Sequence, residues 1–254
     1  MRFVGARLQL GRTYRGLTLA DLADVVSSSV PVLSRIEHDK KEPSEDLVEA
    51  IAESLGFKPE FFYRPLSDRF TQKECSFRKK VATPQKVKER ILAQGTLLAE
   101  FVRELRKVVR LPSPNIPRFP NRWSREAVEE AASDCRAHWG YGDGPIGNMV
   151  RVLEHAGVIV TRLHDESDSI DAFSRPGEVP FVVLNDAKGS GSRARMDLAH
   201  ELGHLVMHDG ETGPEEETQA DQFGAAFLLP EGAFGRHFQS YGRTVDWPQL
   251  FDMK

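Results

Sequence analysis

The chain has 254 residues, 40% hydrophobic and 28% charged, with a formal net charge of −4. These values are ordinary for a globular protein, and the length suits two domains that each bury a core. No apolar run approaches the length of a membrane span, and the start MRFVGARLQLGR lacks the apolar stretch and small residues of a signal peptide. Neither a spanning helix nor a secretory leader is therefore expected. Two cysteines, Cys75 and Cys135, lie far apart with no CxxC, which fits a reduced, cytoplasmic setting and a role as small buried apolar residues.

Charge is unevenly spread. Residues 1–65 carry a net −1, residues 66–125 a net +10 and residues 126–254 a net −13. The basic middle suits nucleic acid or an acidic protein face, and equally suits docking on the acidic C-terminal part.

In chain order, the spacing first predicts a bundle of short helices. In LTLADLADVV, Thr18 reads as an N-cap with Asp21 in the first turn, and Leu19, Leu22, Ala23 and Val26 recur at helical spacing. A serine-rich turn follows. Ser29 is expected to cap a second helix, with Pro31 in its first turn. Leu33, Ile36, Leu47, Ile51 and Leu55 continue the apolar stripe; Pro43, Gly56 and Pro59 punctuate it. Short helices joined by tight turns make a helix-turn-helix bundle.

TLADLADVV and VLSRIEHDKKEPSEDLVEAIAESLG resemble the XRE (Cro/repressor-like) helix-turn-helix domain, over about residues 5–65. The resemblance implies that the helix at about Ser29–Glu37 enters the major groove of double-stranded DNA. The contact candidates are Ser29, Val30, Val32, Ser34 and Arg35. Arg35 is the best polar reader, the serines suit phosphates, and valine offers only a thymine-methyl contact. Two features depart from the pattern: Ser27-Ser28 replaces a glycine and an apolar residue, and the segment is slightly acidic. The other reading is a module kept for dimerisation or protein docking. Modules of this kind commonly dimerise, so a homodimer is among the expected partners.

Residues 84–110 predict one long amphipathic helix with Val87, Ile91, Leu98, Phe101, Val102, Leu105 and Val109 on its apolar side and a soft spot at Gly95. LPSPNIPRFP, with four prolines in nine residues, marks the clearest boundary. Expected domains are 1–65, a basic connector over 66–123, and 124–254. In the last, Ser124 caps a helix to about Trp139; Ile146, Met149, Val150 and Leu153 mark another; VIVTRL and PFVVLN read as strands. No internal repeat or low-complexity tract is evident.

Residues 199–208 read AHELGHLVMH. On a helix over about 192–208, residues four apart share a face, so His200 and His204 point together with Glu201 beside them. This is the HExxH arrangement, in which two imidazoles bind one Zn²⁺ per chain and the glutamate is the catalytic general base. Gly203, despite its helix cost, suggests close approach of something to the backbone. His208 lies about 12 Å along the axis from His200, too far to share its ion, and is expected to cap the helix C-terminus. A third ligand must come from elsewhere. Downstream, Glu217, Ala220, Asp221 and Gly224 share a helix face whose small residues suit close packing. That face offers Glu217 as ligand, with Glu216 as the alternative, and Asp221 to orient one of the histidines. PFVVLN is the expected edge strand for an extended substrate. Tyr241 and His237 are expected at the surface.

PIGNMVRVLEHAGVIV, DAFS, PFVVLN, RARMDLAHELGHLVMH and ETQADQFGAAFLLP together resemble the ImmA/IrrE-type zinc metallopeptidase domain from about Ser124 to Pro230. The overall expectation is a mostly helical α+β protein: an all-α helix-turn-helix bundle, a long connecting helix, and a minimal zincin-like (gluzincin) domain with a small sheet. The resemblance implies zinc on His200, His204 and Glu217 with Glu201 catalytic, and cleavage of a repressor- or antitoxin-like regulatory protein in stress responses or mobile elements. The alternative is a transcription regulator whose zincin domain senses a ligand. FRKKVATPQKVKER resembles the connector of such fusions. Members often continue beyond the point matching WPQLFDMK, so a shortened or short member is expected.

Overall fold

Helix α1 (Gly5–Tyr14) is followed by α2 (Leu19–Val25), whose start is fixed by a reciprocal capping box: Thr18 Oγ1 accepts from Asp21 N, and Asp21 accepts from Thr18 N. Helix α3 (Val30–Glu37) starts differently. Ser29 has the extended N-cap backbone, but its hydroxyl makes no capping bond, and Pro31 near the start needs no N–H partner. Ser27, in the α2–α3 turn, takes a left-handed φ of 49°, the conformation that glycine would adopt freely. Ser44 Oγ caps α4 (Glu45–Leu55), and Pro59–Tyr63 forms a 3₁₀ turn. Leu8, Leu22, Leu33, Ile36, Ile51, Leu55 and Phe62 close the core of this bundle. Arg12 clamps Glu37 bidentately, at 2.7 and 3.1 Å.

The computed structural model describes all residues except 78–83, 121–123, 164–171, 186–190, 210–212, 233–234, 237–247 and 249–254. His237 and Tyr241 lie outside the described residues. The chain forms two compact units, Met1–Gln72 with Lys80–Arg110, and Lys73–Lys79 with Leu111–Lys254. The stretch 66–123 is thus shared between them. Helix α5 (Gln85–Leu105) packs in the first unit. Buried Arg7 of α1 bonds Glu100 at 2.6 Å and the carbonyls of Arg64 and Pro65, and Thr96 Oγ1 accepts from Phe70 N at 3.0 Å. Gly95 is no soft spot: the helix runs unbroken through it, and a Cβ there would lie 2.5 Å from the Phe70 ring. On α5, Ile91 and Val102 are buried but Phe101 is exposed.

The second unit places α6 (Arg125–His138) and α7 (Met149–His155), capped by Ser124 and Asn148, around a four-stranded sheet. Its strands are β1 (Ser76–Phe77), β2 (Ile159–Leu163), β3 (Ala172–Arg175) and β4 (Phe181–Asn185), in the order β1-β3-β4-β2. β4 pairs in parallel with β2 and antiparallel with β3; β1 pairs antiparallel with β3, Ser76 opposite Ser174. PFVVLN is therefore an interior strand, not the expected edge: Phe181 to Leu184 are all buried, as a strand covered on both faces requires. Helices α8 (Gly191–Met207) and α9 (Pro214–Leu228) complete the unit. The protein is mostly helical α+β, with nine α-helices among the described residues. No helix among them is long and apolar enough to cross a membrane. Both cysteines are free and buried.

Candidate metal centre

Helix α8 is buried from Asp197 through Met207, as is His208 just beyond it, so the polar side chains here must find partners inside the protein. It lies on the sheet and against α9. The two helices approach closely because small residues meet: a Cβ on Gly203 would lie 3.2 Å from Ala220 Cα, and one on Gly224 would lie 3.0 Å from His200 N. α9 is held at both ends. Pro214 opens it, Glu216 Oε2 accepts from Gly213 N at 2.9 Å, and buried Arg136 of α6 donates to Phe227 O at 2.5 Å.

This packing brings three donors together. One ligand atom each from His200, His204 and Glu217 falls within 4.8 Å of the others. The two Nε2 atoms face each other at 3.0 Å, and the Glu217 oxygens lie 3.5 Å from His200 Nε2 and 3.4 Å from His204 Nε2. Asp221, one turn along α9, accepts from His200 Nδ1 at 2.8 Å. Glu216, the alternative ligand, is turned back to its capping bond. Glu201 is wholly buried, and neither carboxylate oxygen has a hydrogen-bond partner. The Ser174 hydroxyl of β3 lies close enough to favour its charged form, but no hydrogen bond closes between them.

His208 is not a helix cap. It is buried, its Nδ1 lies 3.0 Å from His204 Nδ1, and its Nε2 lies 2.9 Å from Gln219 Oε1 of α9. The C-terminal carbonyls of α8 go instead to Arg118, which bonds Leu205 O at 2.9 Å and His208 O at 3.1 Å and pairs with Asp209; Phe119 N donates to Val206 O. The i, i+4 histidine series was the signal for the His204–His208 contact. Distance along the axis separates His208 from His200 but does not prevent contact between the His204 and His208 rings on adjacent turns. Gln219 and Arg118 gave no comparable pattern.

The electrostatics follow from burial and partners. Burial works against the charge of His200, but Asp221, Glu217 and Glu201 outweigh it and hold its pKa up at about 9. Desolvation dominates at His204 and presses its pKa down to about 4. One proton therefore belongs to the facing pair at neutral pH, on the His200 side. Burial also opposes the Glu217 charge, yet the two imidazoles keep its carboxyl far below the usual range. Desolvation lifts Glu201 to about 7.

The donor set fits zinc. Two imidazole nitrogens and a carboxylate oxygen suit that ion, and each imidazole has a partner on its far nitrogen, so both Nε2 atoms are aimed at the common point. The orphaned carboxylate of Glu201 beside them, without a bond in this structure, suits a partner arriving with the ion.

In the first unit, Ser29, Val30 and Arg35 are exposed and Val32 and Ser34 half-buried on α3, while Leu33, Ile36 and Glu37 face the core. His38 Nδ1 bonds Ser34 O at 2.7 Å, which closes the end of that helix. Fold and site together define a helix-turn-helix module joined to a zincin-like domain. Residues 8–62 match the model of the helix-turn-helix family, and residues 153–253 match that of the Peptidase M78 family, the IrrE N-terminal-like domain. The two matches agree with the fusion of an XRE-type module to an ImmA/IrrE-type domain. No curated protein and no solved structure matches the chain.

Proposed function

We propose that the protein is a zinc-dependent endopeptidase that cleaves a repressor- or antitoxin-like regulatory protein, with the helix-turn-helix directing it to DNA or to that partner. One observation carries the reading: three converging ligand atoms stand beside a buried, unpartnered Glu201. His200, His204 and Glu217 hold the ion. A zinc ion held there supplies Lewis acidity toward a scissile carbonyl and toward water. Glu201 takes a proton from the attacking water and returns it to the leaving amine nitrogen, and its burial beside the site, which favours the protonated form, helps it hold that proton between the two transfers. Asp221 keeps the His200 ring in the tautomer that leaves Nε2 free. A regulator that only senses a ligand has no use for a buried carboxylate at a cost of desolvation, and Glu201 favours catalysis over that reading.

The test compares wild type with Glu201→Gln. Both are expected to carry about one zinc per chain by mass spectrometry. Zinc-loaded wild type, incubated with a cell extract, is expected to generate new protein N-termini that the variant does not. Identical N-termini from both would overturn the peptidase reading and leave the ligand-sensing regulator.

A further inference from the structure

We infer that Gln219 and His208 form a positioning relay that selects the tautomer of His204 and thereby sets the affinity of the metal centre. The inference rests on the reading of His204 as a ligand. A neutral imidazole carries one N–H and one lone pair, so what one nitrogen does dictates the other. Gln219 turns Oε1 toward His208 Nε2 at 2.9 Å. That oxygen can only accept, so Nε2 carries the hydrogen. The neutral His208 ring, buried between Gln219 and His204, then presents a lone pair at Nδ1. His204 Nδ1, 3.0 Å away, must donate into it. The remaining lone pair of His204 therefore sits on Nε2, facing His200 Nε2 and Glu217.

Turning the Gln219 amide over reverses every step. Its NH₂ would donate to His208 Nε2, His208 Nδ1–H would donate to His204, and His204 would carry its hydrogen on Nε2, where no cation can bind. The state of one amide on α9 is thus transmitted through two rings to the metal-facing atom. The two ligand histidines use different orienting partners: an acidic side chain, Asp221, on His200, and a neutral chain of two residues on His204. The relay also accounts for a buried polar pair, His208 and Gln219, that catalysis itself does not touch.

The test measures the zinc dissociation constant of the full chain by competition with a chromophoric chelator, alongside the melting temperature of the metal-free form. His208→Leu removes the acceptor for His204 Nδ1–H and is expected to weaken zinc binding by about 10- to 100-fold. His208→Asn places an amide oxygen where Nδ1 stood and is expected to stay within about threefold of wild type. Gln219→Leu is expected to weaken binding in the wild-type background and to be silent in the His208→Asn background, where the amide oxygen is present without help. Metal-free melting is expected to track side-chain volume rather than zinc affinity, which separates positioning from packing. His208→Asn binding as weakly as His208→Leu, or Gln219→Leu acting equally in both backgrounds, overturns the relay while wild-type zinc uptake still supports the site. A wild-type chain that takes up no zinc overturns both.

Discussion

The two facing histidines have opposite acid–base characters although they sit one turn apart. His200 keeps its proton because Asp221 and Glu217 stabilise the cation more than burial opposes it; His204 has less such support and is neutral. On the proposed reading of His200 as a ligand, zinc enters by expelling its proton, because a ligand nitrogen needs its lone pair. The sign is then fixed. His200 in the folded chain titrates at about 9 rather than 6.5, so zinc affinity rises with pH across that interval and levels off above it. The same shift stabilises the metal-free fold below about pH 6.5 and is lost as pH climbs through 9. Calorimetry near pH 8 in buffers of different ionisation enthalpy is expected to show about one proton released per zinc bound. An affinity that is flat from pH 7 to 9 would contradict this assignment of the proton.

At the level of elements, the centre exists because α8 and α9 pack almost backbone to backbone. Gly224→Val would drive a branched side chain into His200 N and Ala199, at contacts near 3 Å that backbone cannot yield cheaply. Overpacking of this kind costs about 1–3 kcal/mol, and here it also lifts Glu217 away from the two histidines. Zinc affinity is expected to fall by more than the loss in metal-free stability alone implies; an affinity unchanged beside a lowered melting temperature would show that Glu217 does not depend on this contact. Much of the arrangement was legible in the sequence for a simple reason. Two periodicities, His200 to His204 and Glu217 to Gly224, are local, and local spacing survives folding unchanged. What the sequence withheld was non-local. That Arg118, from the proline-rich stretch, caps α8, that Ser76–Phe77 lies along β3, and that PFVVLN is interior rather than an edge all depend on which segments meet. His208 was misjudged because a terminal histidine suits a helix dipole just as well; only the packing of Gln219 beside it shows otherwise.

For the whole molecule, the decisive feature is that two hydrophobic cores form in two compact units, and the proposed ligands His200, His204 and Glu217 belong to one of them. The core around Leu8, Ile51 and Phe62 contains no residue of α8 or α9, so nothing in it answers directly to metal. Ligand binding stabilises only the state that binds: at a free zinc concentration of 100 times Kd the gain is about 2.7 kcal/mol. For a unit of this size that corresponds to a shift in Tm of roughly 5–10 °C. Calorimetry of the zinc-loaded chain is therefore expected to resolve two transitions, of which a chelator lowers one and leaves the other in place. Glu201→Gln should follow wild type in both, because Glu201 contributes no ligand atom, whereas Glu217→Ala should start where the chelated protein ends and respond little to added zinc. A single transition that moves as a whole with metal would mean that the two cores melt as one cooperative body, and the metal centre would then govern the stability of the helix-turn-helix module as well as its own.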